Sequence, residues 1–198
     1  GLAPLLFAVG DGNHSLAAAK TCFEEIRAEI GDEAAMSHPA RYALCEVVNL
    51  YDDSLQFEPI YRVVFGVEPD HLLSAFEAYI AGLHGDATPQ ELIWASNGRV
   101  GAMTVPTPVA ALTVGTVQDF LDEYLKTAPA GAYVDYIHGR NPAVALANRS
   151  DAIAFLFDGM AKEELFSTVI SDGALPRKTF SMGHAEDKRY YIEARKIK

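Results

Sequence analysis

Hydrophobic residues recur at every third or fourth position in several stretches of the chain. The first stripe consists of Leu16, Ala19, Phe23, Ile26 and Ile30. Charged residues lie between these positions, so the spacing predicts an amphipathic helix that Gly31 ends. Similar spacing predicts a helix opened by Pro69, a helix capped by Thr116, and helices over residues 142–148 and 161–170.

Shorter apolar and β-branched runs predict strands between these helices. They cover residues 5–9, 41–50, 60–67, 91–95, 99–105, 109–114, 132–137, 152–157, 178–182 and 189–194. Ser96-Asn97-Gly98 is typical of a hairpin turn. Strands and helices alternate without a convincing linker, which predicts one α+β domain over residues 1–198, with a mixed sheet and flanking helices. Because the chain starts at Gly1 and soon enters a strand, we expect it to be the C-terminal portion of a longer protein.

Composition and charge narrow the classes of partner. The formal net charge is −11, and the basic residues are scattered apart from a mixed cluster at the C-terminus. A nucleic-acid surface needs clustered Lys and Arg, so we expect no nucleic-acid partner. Apolar runs stay below the length of a membrane span. Cys22 and Cys45 lack metal-ligand spacing, and as two buried thiols they favour a reducing, cytoplasmic location.

The most informative chemistry follows the first predicted strand, where residues 5–9 lead into Gly10-Asp11-Gly12-Asn13-His14-Ser15. A helix begins there, and the first turn of a helix has unpaired N–H groups and a partial positive charge. Gly10 and Gly12 allow close approach of a phosphate or carboxylate, to which His14 and Ser15 add donors. Asp11 or Asn13 could cap the helix, and Asp11 could alternatively hold Mg²⁺ or act as a base. The competing interpretation is a tight turn with a capping residue, which leaves His14 unexplained.

Residues 7–20 closely resemble the centre of the family called domain of unknown function 1015, whose motif reads Asp-Gly-His-His-Arg or Asp-Gly-Asn-His-Ser. Further similar stretches cover residues 38–44, 57–65, 136–139 and 175–180. The resemblance spans essentially the whole chain and implies that it forms the C-terminal half of a family member.

The Asp-Gly-His-His-Arg form is also similar to the phosphate-binding motif of the ParB and sulfiredoxin superfamily, which includes nucleotide-binding proteins and free-serine kinases. Asp11, Gly12 and His14 match that motif, whereas Asn13 replaces the first His and Ser15 replaces the Arg. Loss of this Arg removes a bidentate phosphate ligand. The candidates to supply the missing cation are Arg41, Arg62, Arg177 and Lys178.

Two other residues are relevant to a site. His138 follows a predicted strand and precedes Gly139, a place where sites gather in α/β folds, so we expect a catalytic or ligand role or else a hydrogen-bonded surface histidine. Arg62 interrupts an apolar strand, and a charge there needs a partner. His38, before Pro39, is expected to be a turn residue. No spacing supports a protein metal site.

Two functions are compatible with these patterns. The first is phosphoryl transfer on a small metabolite, with Asp11, His14 and His138 in catalysis and with a nucleotide and Mg²⁺ as cofactors. Gly12, Asn13 and Ser15 would then bind the phosphate, and the similarity to serine kinases suggests serine or phosphoserine as a substrate. The second is a regulatory module that binds a small anionic metabolite without turnover, which Ser15 and the acidic surface favour. The sequence does not predict an oligomeric state.

Overall fold

The computed structural model describes residues 5–10 and 12–183, and the contacts divide the chain into two units. Unit 1 comprises residues 1–55 and 184–198, and unit 2 comprises residues 56–183. The helices and strands are α1 (Asn13–Ile30), α2 (Asp32–Ala35), β1 (Phe57–Phe65), α3 (Pro69–Ala81), β2 (Gln90–Ser96), β3 (Arg99–Val105), α4 (Thr113–Tyr124), β4 (Tyr133–His138), α5 (Arg140–Leu146), β5 (Ala152–Leu156), α6 (Glu164–Asp172) and β6 (Phe180–Met182). The α+β class is confirmed.

Unit 1 is built on α1, which confirms the predicted helix. Gly31 ends it with a φ of 85°, as the sequence predicted, and its N–H donates to the carbonyl of Arg27. A 3-10 turn follows at Pro39–Arg41, where His38 Nδ1 accepts a hydrogen bond from the N–H of Ala40. His38 is therefore a capping residue of a turn, in agreement with the sequence.

Two strands predicted in unit 1 do not form. Residues 5–10 have no regular secondary structure, and Leu6 and Phe7 are each 71% exposed instead of buried. Residues 42–49 are likewise irregular, and Leu44 is 95% exposed. An apolar run becomes a strand only where a neighbouring strand offers backbone partners, and neither run is paired with a strand of the described residues. Cys45 is exposed rather than buried.

Unit 2 contains an antiparallel sheet in the order β3-β2-β5-β1-β4, with β6 paired to the start of β1. All strand pairs in the described part of the chain are antiparallel, whereas the sequence suggested a mixed sheet. The predicted hairpin is confirmed, since Ser96 pairs with Arg99 and leaves Asn97-Gly98 as the turn. The strand predicted over residues 189–194 lies outside the described residues.

Both faces of this sheet are covered, so its central strands are nearly continuous apolar runs. One face packs against α3 and α4 through Phe76, Phe120, Leu121, Val64 and Phe155. The other face packs against α5, where Ala143 and Ala147 meet Tyr61, Val63 and Leu156. Arg62 lies in the middle of β1 and is nevertheless completely buried.

The segment before α4 departs from the prediction. The expected strand over residues 109–114 is absent, and α4 begins at Thr113, so Thr116 lies inside the helix rather than at its cap. The buried Thr116 hydroxyl donates to Gln90 Oε1 at 2.7 Å, and Gln90 Nε2 donates to the carbonyl of Ala110 at 2.7 Å. These tertiary bonds to β2 fix the start of the helix, and a local pattern does not reveal them. Among the described helices, none is long and apolar enough to cross a bilayer.

Candidate functional site

The turn that precedes α1 has an open helix start. Gly12 adopts a left-handed conformation, with a φ of 77°, and no side chain among the described residues caps the helix. The first helical bond runs from the N–H of Leu16 to the carbonyl of Gly12 at 2.9 Å. The N–H groups of Asn13, His14 and Ser15 therefore have no acceptor within the helix. Asn13 is the first helical residue rather than the cap, and Asp11 lies outside the described residues.

The electrostatics of this turn favour an anion. The first turn of α1 contains no acidic residue, so nothing among its side chains offsets the positive end of the helix dipole. Gly12, Asn13, His14 and Ser15 are all exposed. Gly12 is required for its conformation rather than for space, because a Cβ there would meet nothing within 4 Å.

Arg41 also belongs to unit 1, but its guanidinium is already occupied. It ends the 3-10 turn instead of starting a strand, and its Nη1 donates to the carbonyl of Met36 at 3.0 Å. The same guanidinium lies 5.5 Å from the ring centroid of Tyr42. Arg41 thus stabilises the turn in which it lies.

In unit 2 the pairing of β1 with β4 brings several predicted residues onto one sheet face. Ile60 lies opposite His138 and Arg62 lies opposite Tyr136. Alternate residues of a strand share a face, so Glu58, Arg62, Tyr136 and His138 form one polar strip. His138 Nε2 lies 2.6 Å from Glu58 Oε2, and both side chains are about one-third exposed. A carboxylate in this position orients the imidazole ring.

Arg62 donates hydrogen bonds to four acceptors within the protein. Its Nε donates to Gln118 Oε1 at 3.1 Å, and its two terminal nitrogens donate to the carbonyls of Ile60, Lys178 and Arg177 at 2.6–2.8 Å. Burial lowers the pKa of Arg62 to about 10. The side chain therefore connects β1 to the loop before β6 and also stacks on Tyr136, with 5.0 Å between the guanidinium carbon and the ring centroid.

Arg177 and Lys178 lie on that loop. Arg177 donates from Nε to the Tyr136 hydroxyl at 2.6 Å and from Nη2 to Asp122 Oδ1 at 2.5 Å. The hydrogen bond to Tyr136 is the main reason that the pKa of Arg177 is raised. Lys178 has a φ of 55°, which is unusual for a residue with a side chain, and its side chain is exposed.

The structure thus collects Arg62, Arg177, Lys178 and His138 in unit 2, whereas the α1 turn and Arg41 belong to unit 1. Sequence reasoning missed four partners of these residues, which are Glu58, Gln118, Asp122 and Tyr136. Gln118 and Asp122 are four residues apart on α4, and Gln118 Nε2 donates to Asp122 Oδ1 at 2.8 Å. This four-residue spacing on a predicted helix could have indicated from the sequence that the two side chains lie together. Within residues 5–10 and 12–183, no three His, Cys, Asp or Glu side chains are grouped to hold a metal ion.

The fold and the candidate sites define an α+β protein with two separate features. One is an open helix start, and the other is a strip that contains Arg62, Tyr136 and His138. The family model described as "Protein of unknown function (DUF1015)" matches residues 2–197, and the chain belongs to this family. No curated protein and no solved structure matches the chain.

Proposed function

We propose that this protein binds a small phosphorylated metabolite or a nucleotide, with a phosphate at the start of α1, and that it catalyses phosphoryl transfer there. The observation that carries the proposal is the exposed first turn after the left-handed Gly12, which no described side chain caps. Three backbone N–H groups and the helix dipole suit a phosphate. His14 and Ser15 are the side chains that can add donors to it.

The proposed roles follow from chemistry. His14 donates to the phosphate or acts as acid or base, and Asp11 positions Mg²⁺ or a water. Mg²⁺ prefers one or two carboxylates together with substrate phosphates, so a multi-residue protein cage is not required. The similarity of the motif to serine kinases makes serine and phosphoserine the first substrates to test.

His138 is proposed as a second acid–base group. Its hydrogen bond to Glu58 at 2.6 Å supports this role, because an oriented imidazole is what proton transfer requires. Chemistry at His138 is a separate proposal from anion binding at α1, since the two features belong to different units.

Ser15 stands where the similar phosphate-binding motif has an Arg, so the proposed phosphate site lacks that positive charge. Arg62 and Arg177 already hydrogen-bond within the protein, and Arg41 holds its own turn. The Lys178 side chain forms no hydrogen bond or ion pair with the described residues, so we propose Lys178 as a cation available to an anion within unit 2, apart from the phosphate at α1. The neutral Ser15 also favours a second candidate function, in which the site senses an anionic metabolite without turnover.

A binding experiment with matched variants tests the site. Isothermal titration of the full chain with ATP, phosphoserine and serine, with and without Mg²⁺, should show binding of a phosphorylated ligand. We expect His14→Ala to weaken that binding about tenfold, because it removes one charge-assisted donor. His84→Ala removes an exposed histidine in unit 2 and should leave the affinity unchanged.

The outcomes distinguish phosphoryl transfer, binding without turnover, and a site that is wrong for both functions. Transfer of phosphate from the bound ligand, detected by mass spectrometry of the products, supports the proposed phosphoryl-transfer activity. Binding without transfer supports the sensor. If no phosphorylated ligand binds, or if His14→Ala and His84→Ala bind equally well, the proposed site is wrong.

A further inference from the structure

A second concave site lies in unit 2, between α5 and the turn of the β2–β3 hairpin. Its volume is about 380 Å³, and its lining comes from residues 95–100 and 140–148. That volume falls within the range of pockets for small molecules. None of its lining residues belongs to the α1 turn or to the polar strip described above.

Hydrogen bonds hold the two walls of this groove together. Asn97 and Gly98 have φ values of 47° and 75°, the combination of a tight two-residue hairpin turn. The N–H of Asn97 donates to the carbonyl of Ala147 at 3.0 Å, which ties the turn to the end of α5. The buried Ser96 hydroxyl donates to the carbonyl of Ala152 at 2.7 Å. The groove is therefore formed before any ligand arrives.

The charge of the lining is opposite to that of the chain. The whole sequence has 27 acidic and 16 basic residues, but the described residues that line the groove include two arginines and no Asp or Glu. Arg99 pairs with Asp70 at 2.9 Å and stacks on Trp94. The Arg140 guanidinium is exposed and has no hydrogen-bond or ion-pair partner among the described residues. Arg140 is thus a cation available to a ligand.

The remaining polar groups are amides. Asn97, Asn141 and Asn148 line the groove with exposed side chains, and those of Asn141 and Asn148 form no hydrogen bond with the described residues. Each amide offers a carbonyl acceptor and an NH₂ donor, which together match the hydroxyl group of a ligand. Val100 and Val144 supply an apolar wall.

We propose that this groove binds a small hydroxylated carboxylate, such as a sugar acid or hydroxy acid. Arg140 receives the carboxylate in its planar fork, and the asparagine amides receive the hydroxyl groups. The ligand carboxylate gives affinity through its charge at a lining that contains no Asp or Glu, and the three amides select for several hydroxyls.

The test is ligand-observed NMR and isothermal titration of the full chain with gluconate, glucuronate, tartrate and citrate. Glucitol serves as the neutral counterpart of gluconate, and glucose 6-phosphate as a phosphorylated one. We expect at least one hydroxylated carboxylate to bind, and Arg140→Gln to weaken it by about tenfold to a hundredfold, because it removes a charged hydrogen-bond donor. Val144→Phe fills the groove without changing charge and should also abolish binding.

Control variants outside the groove test whether the ligand binds within it. Arg27→Gln removes an exposed arginine of α1 and should leave binding intact. His14→Ala should also leave it intact, so a failed phosphate site at α1 and a failed groove are distinguishable. The proposal is overturned if none of the four carboxylates binds, if glucitol or glucose 6-phosphate binds as well as gluconate, or if Arg140→Gln and Val144→Phe bind like the unmodified protein.

Discussion

Arg62 shows how one buried charge can organise a site without touching a ligand. Four of its five N–H groups donate to protein acceptors, three of which are backbone carbonyls. Two of those carbonyls belong to Arg177 and Lys178, so the guanidinium sets the backbone that presents both cations. Its depressed pKa, about 10, means that the unfolded chain holds the proton more tightly than the native protein does. The charge therefore opposes folding at neutral pH, and this opposition fades only above the folded pKa.

Replacement of Arg62 should still destabilise the protein. Arg62→Met leaves the buried Gln118 side chain and Ile60 carbonyl, and the partly buried carbonyls of Arg177 and Lys178, without this donor, and we expect a loss of about 2–4 kcal/mol in the free energy of unfolding. Urea denaturation followed by circular dichroism measures it. Arg149→Met, at an exposed arginine, should cost much less stability than Arg62→Met. An Arg62→Met protein as stable as the unmodified one would contradict this account.

The sequence predicted that Arg62 needs a partner but not which one. Lys178 lies 116 positions along the chain, and only the folded sheet brings the two together. The open helix start at Asn13 was predictable, because glycine and helical periodicity are local signals. The Glu58–His138 pair was not, because it depends on the register of two strands separated by 80 residues.

Among the helices and strands, the local sequence pattern gave correct predictions where a residue such as Gly or Pro marks the end or the start of the element. Gly31 ends α1, Pro69 opens α3, and Asn97-Gly98 turns the hairpin, all as predicted. The predictions failed for residues 5–9 and 41–50, where the apolar runs have no neighbouring strand among the described residues. They also failed for the start of α4, which Gln90 fixes from a distant strand.

Asp119 on helix α4 makes the stability of the protein depend on pH. Burial raises the pKa of Asp119, and the nearby Asp122 raises it further. The native state thus holds this proton more tightly than the unfolded chain, so the contribution to stability is present below the ordinary carboxyl pKa and is lost as the pH rises through the raised value. Asp119→Asn removes the ionisable carboxyl, so this variant does not lose that stability as the pH rises.

We expect Asp119→Asn to raise the melting temperature slightly at pH 7, with the difference vanishing near about pH 3, where the carboxyl is protonated in both states. Differential scanning calorimetry across this range measures it. Asp86→Asn, in an exposed loop, should shift the melting temperature at neither pH. A stabilisation by Asp119→Asn that persists or grows in acid would show that the carboxylate is not the cause.

At the scale of the whole molecule, the buried apolar side chains are unevenly distributed. Both core clusters lie within residues 56–183. In the described part of unit 1 the buried apolar residues are Ile26, Ala35 and Ala40, while Leu6, Phe7 and Leu44 are exposed. The described part of unit 1 therefore contributes little hydrophobic stabilisation.

A truncated protein of residues 56–183 should therefore fold alone. We expect a single cooperative unfolding transition and dispersed amide resonances, whereas residues 1–55 alone should show neither. Thermal unfolding and one-dimensional NMR of the two fragments provide the comparison. Loss of cooperative unfolding in residues 56–183 would instead favour the single domain over residues 1–198 that the sequence predicted.

The central claim is that the first turn of α1 binds phosphate through its backbone. An amide ¹H–¹⁵N titration of the full chain with ATP or phosphoserine, against sodium chloride at equal ionic strength, tests it most directly. We expect saturable shifts in the amide resonances of Asn13, His14 and Ser15, which chloride does not reproduce. Amide resonances at these three residues that stay fixed while the ligand reaches millimolar concentration would contradict it.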